Sequence, residues 1–243
     1  MKKYLLLPTL LSSFAFSVVS IKPVEIKNDA SIDFEQGLSF SSKSGNVEKM
    51  DFKLATSLKQ YGEGYVNTLF FFYDYGESRG QKDTNALLFH LRHIHDLGWK
   101  DLNAELFTQV EKDDFRDITS KTLLGSNLRY KIDTEKLDVF VGLGVFYAWL
   151  DEVNIKDEYT SINSYVSLNY QFTDSTSLTY KAYYQPRIDD FDDFQLYQKA
   201  QLKVNITNRL SLFVNLLHEY DAKPPVGIEK SDFAQTTGLS YKF

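Results

Sequence analysis

The chain has 243 residues, a formal charge of −6 and no cysteine, which excludes a disulfide framework and a lipid-anchored cysteine. An acidic chain is a poor candidate for nucleic-acid binding. Its 16 Tyr and 19 Phe, against 12 Gly and 5 Pro, suit strands better than disorder.

At the start, Lys2 and Lys3 precede an apolar stretch from Tyr4 to Val19, interrupted by Pro8, Thr9, Ser12 and Ser13. Val18 and Ser20 offer a small-residue cleavage site, so residues 1–20 read as a secretory signal peptide, too short and interrupted for a membrane helix. Their removal takes two lysines and no acid, and the charge goes from −6 to −8. Residues 21–30 are expected as a short periplasmic segment, followed by a single domain over 31–243.

That domain divides into twelve alternating segments: 31–42, 47–59, 65–76, 84–97, 101–111, 119–132, 136–150, 157–172, 176–187, 194–206, 209–221 and 231–243. The seventh is the clearest. Leu137, Val139, Val141, Leu143, Val145, Tyr147 and Trp149 share one face; Asp138, Phe140, Gly142, Gly144, Phe146 and Ala148 share the other. Such a period of two marks a strand with one apolar side. The third segment, with Leu69, Phe70, Phe71, Phe72 and Tyr73, is apolar on both sides and has no readable phase.

Connections alternate in length. Gly62-Glu63-Gly64, Gly98-Trp99-Lys100, Asp133-Thr134-Glu135, Thr173-Asp174-Ser175 and Thr207-Asn208 are tight, whereas most of the others are longer and charged. Short turns on one rim and longer loops on the other are the up-and-down pattern of a membrane barrel. Aromatic residues near strand ends (Tyr130, Tyr147, Trp149, Tyr170, Phe172, Phe194, Tyr220, Tyr241) suit interfacial girdles. The last segment carries Leu239, Tyr241 and a terminal Phe243 on one face, the form of an assembly signal on a closing strand. The expected fold is all-β: a transmembrane antiparallel up-and-down barrel of about twelve strands in the outer membrane.

The stretch from His90 to Phe115, the segment Leu123-Leu124-Gly125-Ser126-Asn127-Leu128-Arg129-Tyr130, the Ser44-Gly45-Asn46 hairpin and the ending from Thr236 to Phe243 resemble the YdiY-like salt-induced outer-membrane proteins. The resemblance implies an outer-membrane barrel and a link to osmotic conditions; these motifs are scaffold features and imply no reactive site.

Inward alternation predicts a charged lumen, with Glu105, Arg129, Lys131, Lys181, Lys199 and Lys203 as its principal charges. Asp33, Glu35, Asp51, Lys53, Arg92, Glu111 and Lys121 complete the set. Opposed charges could pair and fill the interior, or line a narrow pore for small solutes or ions. His93 and His95 share a face with no third ligand in sight, so no metal, cofactor or catalytic residue is expected. The acidic loop runs around Asp113, Asp151, Asp157 and Asp189 offer an alternative role in surface binding or divalent bridging to lipopolysaccharide. A membrane hydrolase is a further alternative. The partners implied are the lipid bilayer, lipopolysaccharide and the barrel-assembly machinery, with the protein as a monomer.

Overall fold

The structure is a computed structural model that describes residues 24–26, 29–44, 48–152, 155–225 and 227–242. Twelve strands follow one another: β1 (Ser31–Lys43), β2 (Lys49–Gly62), β3 (Tyr65–Ser78), β4 (Gln81–Trp99), β5 (Leu102–Asp113), β6 (Ile118–Asp133), β7 (Leu137–Glu152), β8 (Ile155–Thr173), β9 (Thr176–Pro186), β10 (Phe194–Asn205), β11 (Leu210–Asp221) and β12 (Ser231–Lys242). Each pairs antiparallel with its neighbours in the chain, and β1 meets β12 at Glu35–Lys242 and Gln36–Tyr241 to close the barrel. Along the other seams the backbone N–H and C=O groups are met within the wall by near-continuous ladders, whereas the β1–β12 seam shows these two register pairs among the described residues. The all-β twelve-strand barrel expected from the alternation is the fold observed.

Polarity is inverted relative to a soluble protein. In β7, Leu143 is 62% exposed on the outside, while Phe140 and Phe146 on the other face are buried. Leu38, Leu106, Leu124, Leu128 and Leu239 also project outward. Aromatic side chains gather at both ends of this outer face. Trp99, Tyr130, Tyr170, Phe172 and Tyr241 lie toward the rim of short turns; Tyr147, Trp149, Tyr184 and Phe194 lie toward the rim of long loops. Several stack in pairs, including Tyr147 on Trp149 (4.8 Å) and Tyr170 on Phe172 (4.9 Å).

Two glycines carry specific loads. Gly64 turns the chain between β2 and β3 with φ of +72°, a conformation that costs an L-residue roughly 1–2 kcal/mol. Gly142 faces inward from β7, and a Cβ there would lie 2.1 Å from the Tyr165 ring, so its missing side chain is what admits that ring. The unreadable third segment is now phased: Val66, Thr68, Phe70 and Asp74 point inward, while Leu69, Phe71 and Tyr73 alternate with them.

Candidate functional site

The candidate site is the barrel interior. Strand register sets Ile94 beside Glu105, Glu105 beside Asn127, Asn127 beside Gly144 and Gly144 beside Asn163. At its centre is Glu105, 0% exposed. Its Oε1 lies 3.6 Å from Arg92 Nη1 and 3.5 Å from Arg129 Nη1. Its Oε2 accepts hydrogen bonds from the Tyr165 hydroxyl (2.9 Å) and Asn127 Nδ2 (3.1 Å). The chain of amides continues, with Asn163 Nδ2 donating to Asn127 Oδ1 (3.1 Å) and Gln185 Nε2 donating to Asn163 Oδ1 (2.8 Å). One carboxylate thus holds two guanidiniums, each also resting on an aromatic face: Arg129 over Phe140 at 4.9 Å and Arg92 over Phe107 at 5.8 Å. Charges so far from water persist only when paired and hydrogen-bonded.

Residues 24–26 enter this interior. Val24 is 3% exposed and belongs to a buried apolar cluster with Tyr61, Val66, Phe70, Ile94 and Phe107; Ile26 packs against it. Arg129 Nη1 donates to the Val24 carbonyl (2.9 Å), and Lys131 pairs with Glu25. The sequence reading gave residues 21–30 as a short periplasmic segment ahead of the barrel domain; the apolar side chains and backbone carbonyl of residues 24–26 meet inward-facing partners on β2 to β6.

The charges singled out from the sequence divide as follows. Glu105, Arg129 and Lys181 are buried inside, as are Arg92, Glu111 and Lys121. Lys131, Phe140, Ser167, Lys181 and Lys199 form one continuous inward row over five strands. Lys203 follows on the same face of β10, half-buried like Lys199. Lys53 meets Asp74 at 2.8 Å. His90 and Gln109 are also buried; Asp74 and Glu219 are buried without having been singled out, although Glu219 shares the parity of Leu217 and Asn215 on β11, the signal that could have found it. Leu239 and Tyr241 face outward, opposite Leu212 and Leu210; Phe243 lies outside the described residues.

The histidines separate by face. His90 points inward, its Nδ1 3.1 Å from Gln109 Oε1, and stacks on Phe107. His93 and His95 stack on each other 6.0 Å apart, and His93 Nδ1 bonds Asn67 (2.7 Å). His218 Nε2 lies 3.0 Å from Ser231 Oγ, an exposed pair not anticipated from the sequence. Beside it on β10, the Gln198 oxygen is taken by the Tyr180 hydroxyl (3.0 Å). Among the described residues no carboxylate bonds the other nitrogen of His218, and no cluster of three or more His, Asp or Glu side chains could hold a metal ion.

At the long-loop rim the mouth is bridged. Lys121 Nζ donates to Gln195 Oε1 (3.2 Å), Gln195 Nε2 donates to Asp221 (3.1 Å), and Arg116 lies 3.9 Å from Glu219. Above them is a cavity of about 300 Å³ lined by Tyr159, Gln185, Arg187, Asp193, Lys223 and Pro225, among others. The acidic loop between β9 and β10 is internally matched. Arg187 donates to both Asp189 oxygens (3.2 Å each) and to Asp157 (2.6 Å), and Lys223 pairs with Asp190. Hydrogen bonding from Arg187 holds the Asp189 carboxyl below the usual range, and Lys223 does the same for Asp190.

The family described as "Protein of unknown function, DUF481" matches residues 37–243. No curated protein matches the chain. Solved structures with a similar fold include the NanC porin, at 10% identity over 87% of this chain and 99% of that one, with a TM-score of 0.55. The KdgM porin is 11% identical over 88% of this chain and 99% of that one, with a TM-score of 0.48. The translocator domain of the autotransporter NalP from Neisseria meningitidis is 14% identical over 87% of each chain, with a TM-score of 0.45. At such identities the likeness to the NanC porin is one of fold alone.

Proposed function

This chain belongs to the DUF481 family, and we propose that it is an outer-membrane β-barrel that works without enzymatic chemistry, its charge-lined interior narrow enough to restrict passage to ions and small solutes. The observation that carries this reading is the inverted polarity of a closed barrel. Leu38, Leu106, Leu128 and Leu143 cover the outside, while Arg92, Glu105 and Arg129 lie inside. In water that arrangement would expose a continuous apolar belt, which soluble monomers avoid; in a bilayer the belt meets acyl chains and the two aromatic girdles meet the headgroups. The short-turn rim then faces the periplasm and the long-loop rim the outside, where lipopolysaccharide is the neighbour. Assembly would run through the barrel-assembly machinery, with Leu239, Tyr241 and Phe243 as the recognised ending. The link to osmotic conditions rests on the family resemblance.

The surface-binding alternative is weakened by the loop acids Asp189 and Asp190, which already pair with Arg187 and Lys223. Fractionation of cells, with gel migration compared before and after boiling, tests the reading. An outer-membrane band whose mobility changes on heating is expected; a soluble protein with heat-independent mobility overturns it.

A further inference from the structure

The cavity of about 300 Å³ at the long-loop rim is lined by an excess of acceptors. Glu152 at the end of β7, Asp157 on β8, Asp193 just before β10 and Asp221 at the end of β11 bring four carboxylates to it, against two cations, Arg187 and Lys223. Both cations are already engaged. Arg187 serves Asp157 (2.6 Å), Asp189 (3.2 Å) and Asp193 (3.7 Å), and Lys223 pairs with Asp190. Lys121, below the floor, donates to Gln195. Among the described residues Asp221 accepts only from neutral groups, Gln195 Nε2 (3.1 Å) and the Lys223 amide (3.0 Å), and Glu152 forms no ion pair. A cleft with such an imbalance draws cations into it.

A second feature points to a ligand. Ser161 on β8, 1% exposed, and Gln185 on β9, 4% exposed, line the same cavity. Gln185 spends its Nε2 on Asn163 (2.8 Å), leaving its Oε1 without a partner, and the Ser161 hydroxyl has no hydrogen bond among the described residues. Polar groups buried this deeply are ordinarily satisfied, so the pocket lacks donors as well as positive charge. A bare metal ion does not fit, because among the described residues no three His, Asp or Glu side chains are placed to share one. The same lining contains Leu150, Pro224 and Pro225, apolar surface suited to a hydrocarbon spacer.

We propose that this cavity binds linear diamines and polyamines, their ammonium groups reaching the separate carboxylates Glu152, Asp193 and Asp221 and their methylenes lying on Leu150, Pro224 and Pro225. Ser161 and Gln185 are the neutral acceptors. The inference rests on the reading of the chain as a membrane barrel, which turns this rim outward, and adds a ligand class to it. Asp189 and Asp190, already paired, are not part of the site.

Isothermal titration calorimetry of the detergent-folded protein at physiological salt tests the site, with putrescine, spermidine, butylamine and magnesium chloride as probes. One saturable site is expected for the first two, about tenfold tighter than for butylamine or Mg²⁺, since a second ammonium on the same chain binds intramolecularly. Asp193→Asn with Asp221→Asn should weaken spermidine binding severalfold. Asp151→Asn with Glu158→Gln, which removes the same charge from the outer face of the same rim, should leave it unchanged. A folded, heat-modifiable protein that binds no amine, that binds butylamine as tightly as putrescine, or whose two double variants lose spermidine equally overturns the proposal. The preference for diamine over monoamine is read on the unmodified chain, so it decides the matter even where a variant does not fold. Loss of heat-modifiable migration in the unmodified chain would instead overturn the barrel reading.

Discussion

Replacing Glu105 with Gln removes one charge and little volume, and the structure sets a large cost on it. The carboxylate is the shared counter-ion of Arg92 and Arg129, at 3.6 and 3.5 Å, with none of the three side chains more than 2% exposed. With an effective dielectric of 20, each contact is worth about 5 kcal/mol of Coulomb attraction, most of it offset by desolvation. The net quantity is the penalty for leaving buried guanidiniums uncompensated, about 3–5 kcal/mol for breaking such a pair. Gln keeps an acceptor for Tyr165 and Asn127, so the loss should be electrostatic and not steric. Denaturant unfolding of the protein refolded in lipid vesicles, followed by fluorescence of Trp99 and Trp149, measures it. Lys156→Gln is the comparison, because its pair with Asp151 is solvent-exposed and worth roughly 0–1 kcal/mol. Adding Arg92→Gln and Arg129→Gln to Glu105→Gln should recover part of the loss. A Glu105→Gln barrel within about 1 kcal/mol of the Lys156→Gln one would refute the picture of a central ionic cluster.

Gly142→Ala places a methyl group against the Tyr165 ring and should cost about 1–3 kcal/mol by overpacking, read in the same unfolding experiment; an unchanged midpoint would mean the ring has room to move. The paired acids of the β9–β10 loop give a pH dependence of definite sign. Because the Asp189 and Asp190 carboxyls are depressed in the folded loop, their contribution is complete above the ordinary carboxylate range and is lost as pH falls through the lowered values. A fluorophore on Phe191→Cys should therefore keep its anisotropy at neutral pH and lose it in acid, whereas Asp189→Asn with Asp190→Asn should lower it at neutral pH. Equal anisotropy in both proteins would remove the loop pairs from the account. Deletion of Phe243 should reduce the amount of assembled barrel in cells far more than it lowers unfolding stability in vitro, since changes near the interface cost only about 0–1 kcal/mol. Normal surface levels would count against an assembly signal.

The strands were legible wherever the two sides of the wall meet different surroundings. In β7, Leu143 and Val145 alternate with glycines and buried aromatics, and the phase is plain. It was not plain in β3, because Phe70 belongs to the inward cluster capped by Val24 while Leu69 and Phe71 take the other face. An apolar patch inside the barrel makes both faces of a strand alike, and period-two reasoning then has nothing to distinguish. For the same reason the seat of residues 24–26 was not visible. Three residues have no period, and what holds them is Arg129 and Lys131, more than a hundred positions later. Parity put Glu105, Arg129 and Lys181 on the inward face but did not single out Asp74 or Glu219, and the grouping about Glu105 depends on the stagger between β4, β5, β6 and β8, which sequence alone does not supply.

The central claim is that this wall has lipid on one side and its own polar interior on the other. A spin-label scan of β7 tests it most directly, since the chain has no native cysteine. Single cysteines from Val139 to Trp149, labelled in vesicle-embedded protein, should give oxygen accessibility that oscillates with a period of two. The maxima should fall at Val141, Leu143, Val145 and Tyr147, and the minima at Phe140, Phe146 and Ala148. Accessibility that stays uniform along the strand, or maxima on the Phe140–Phe146 face, would contradict the account.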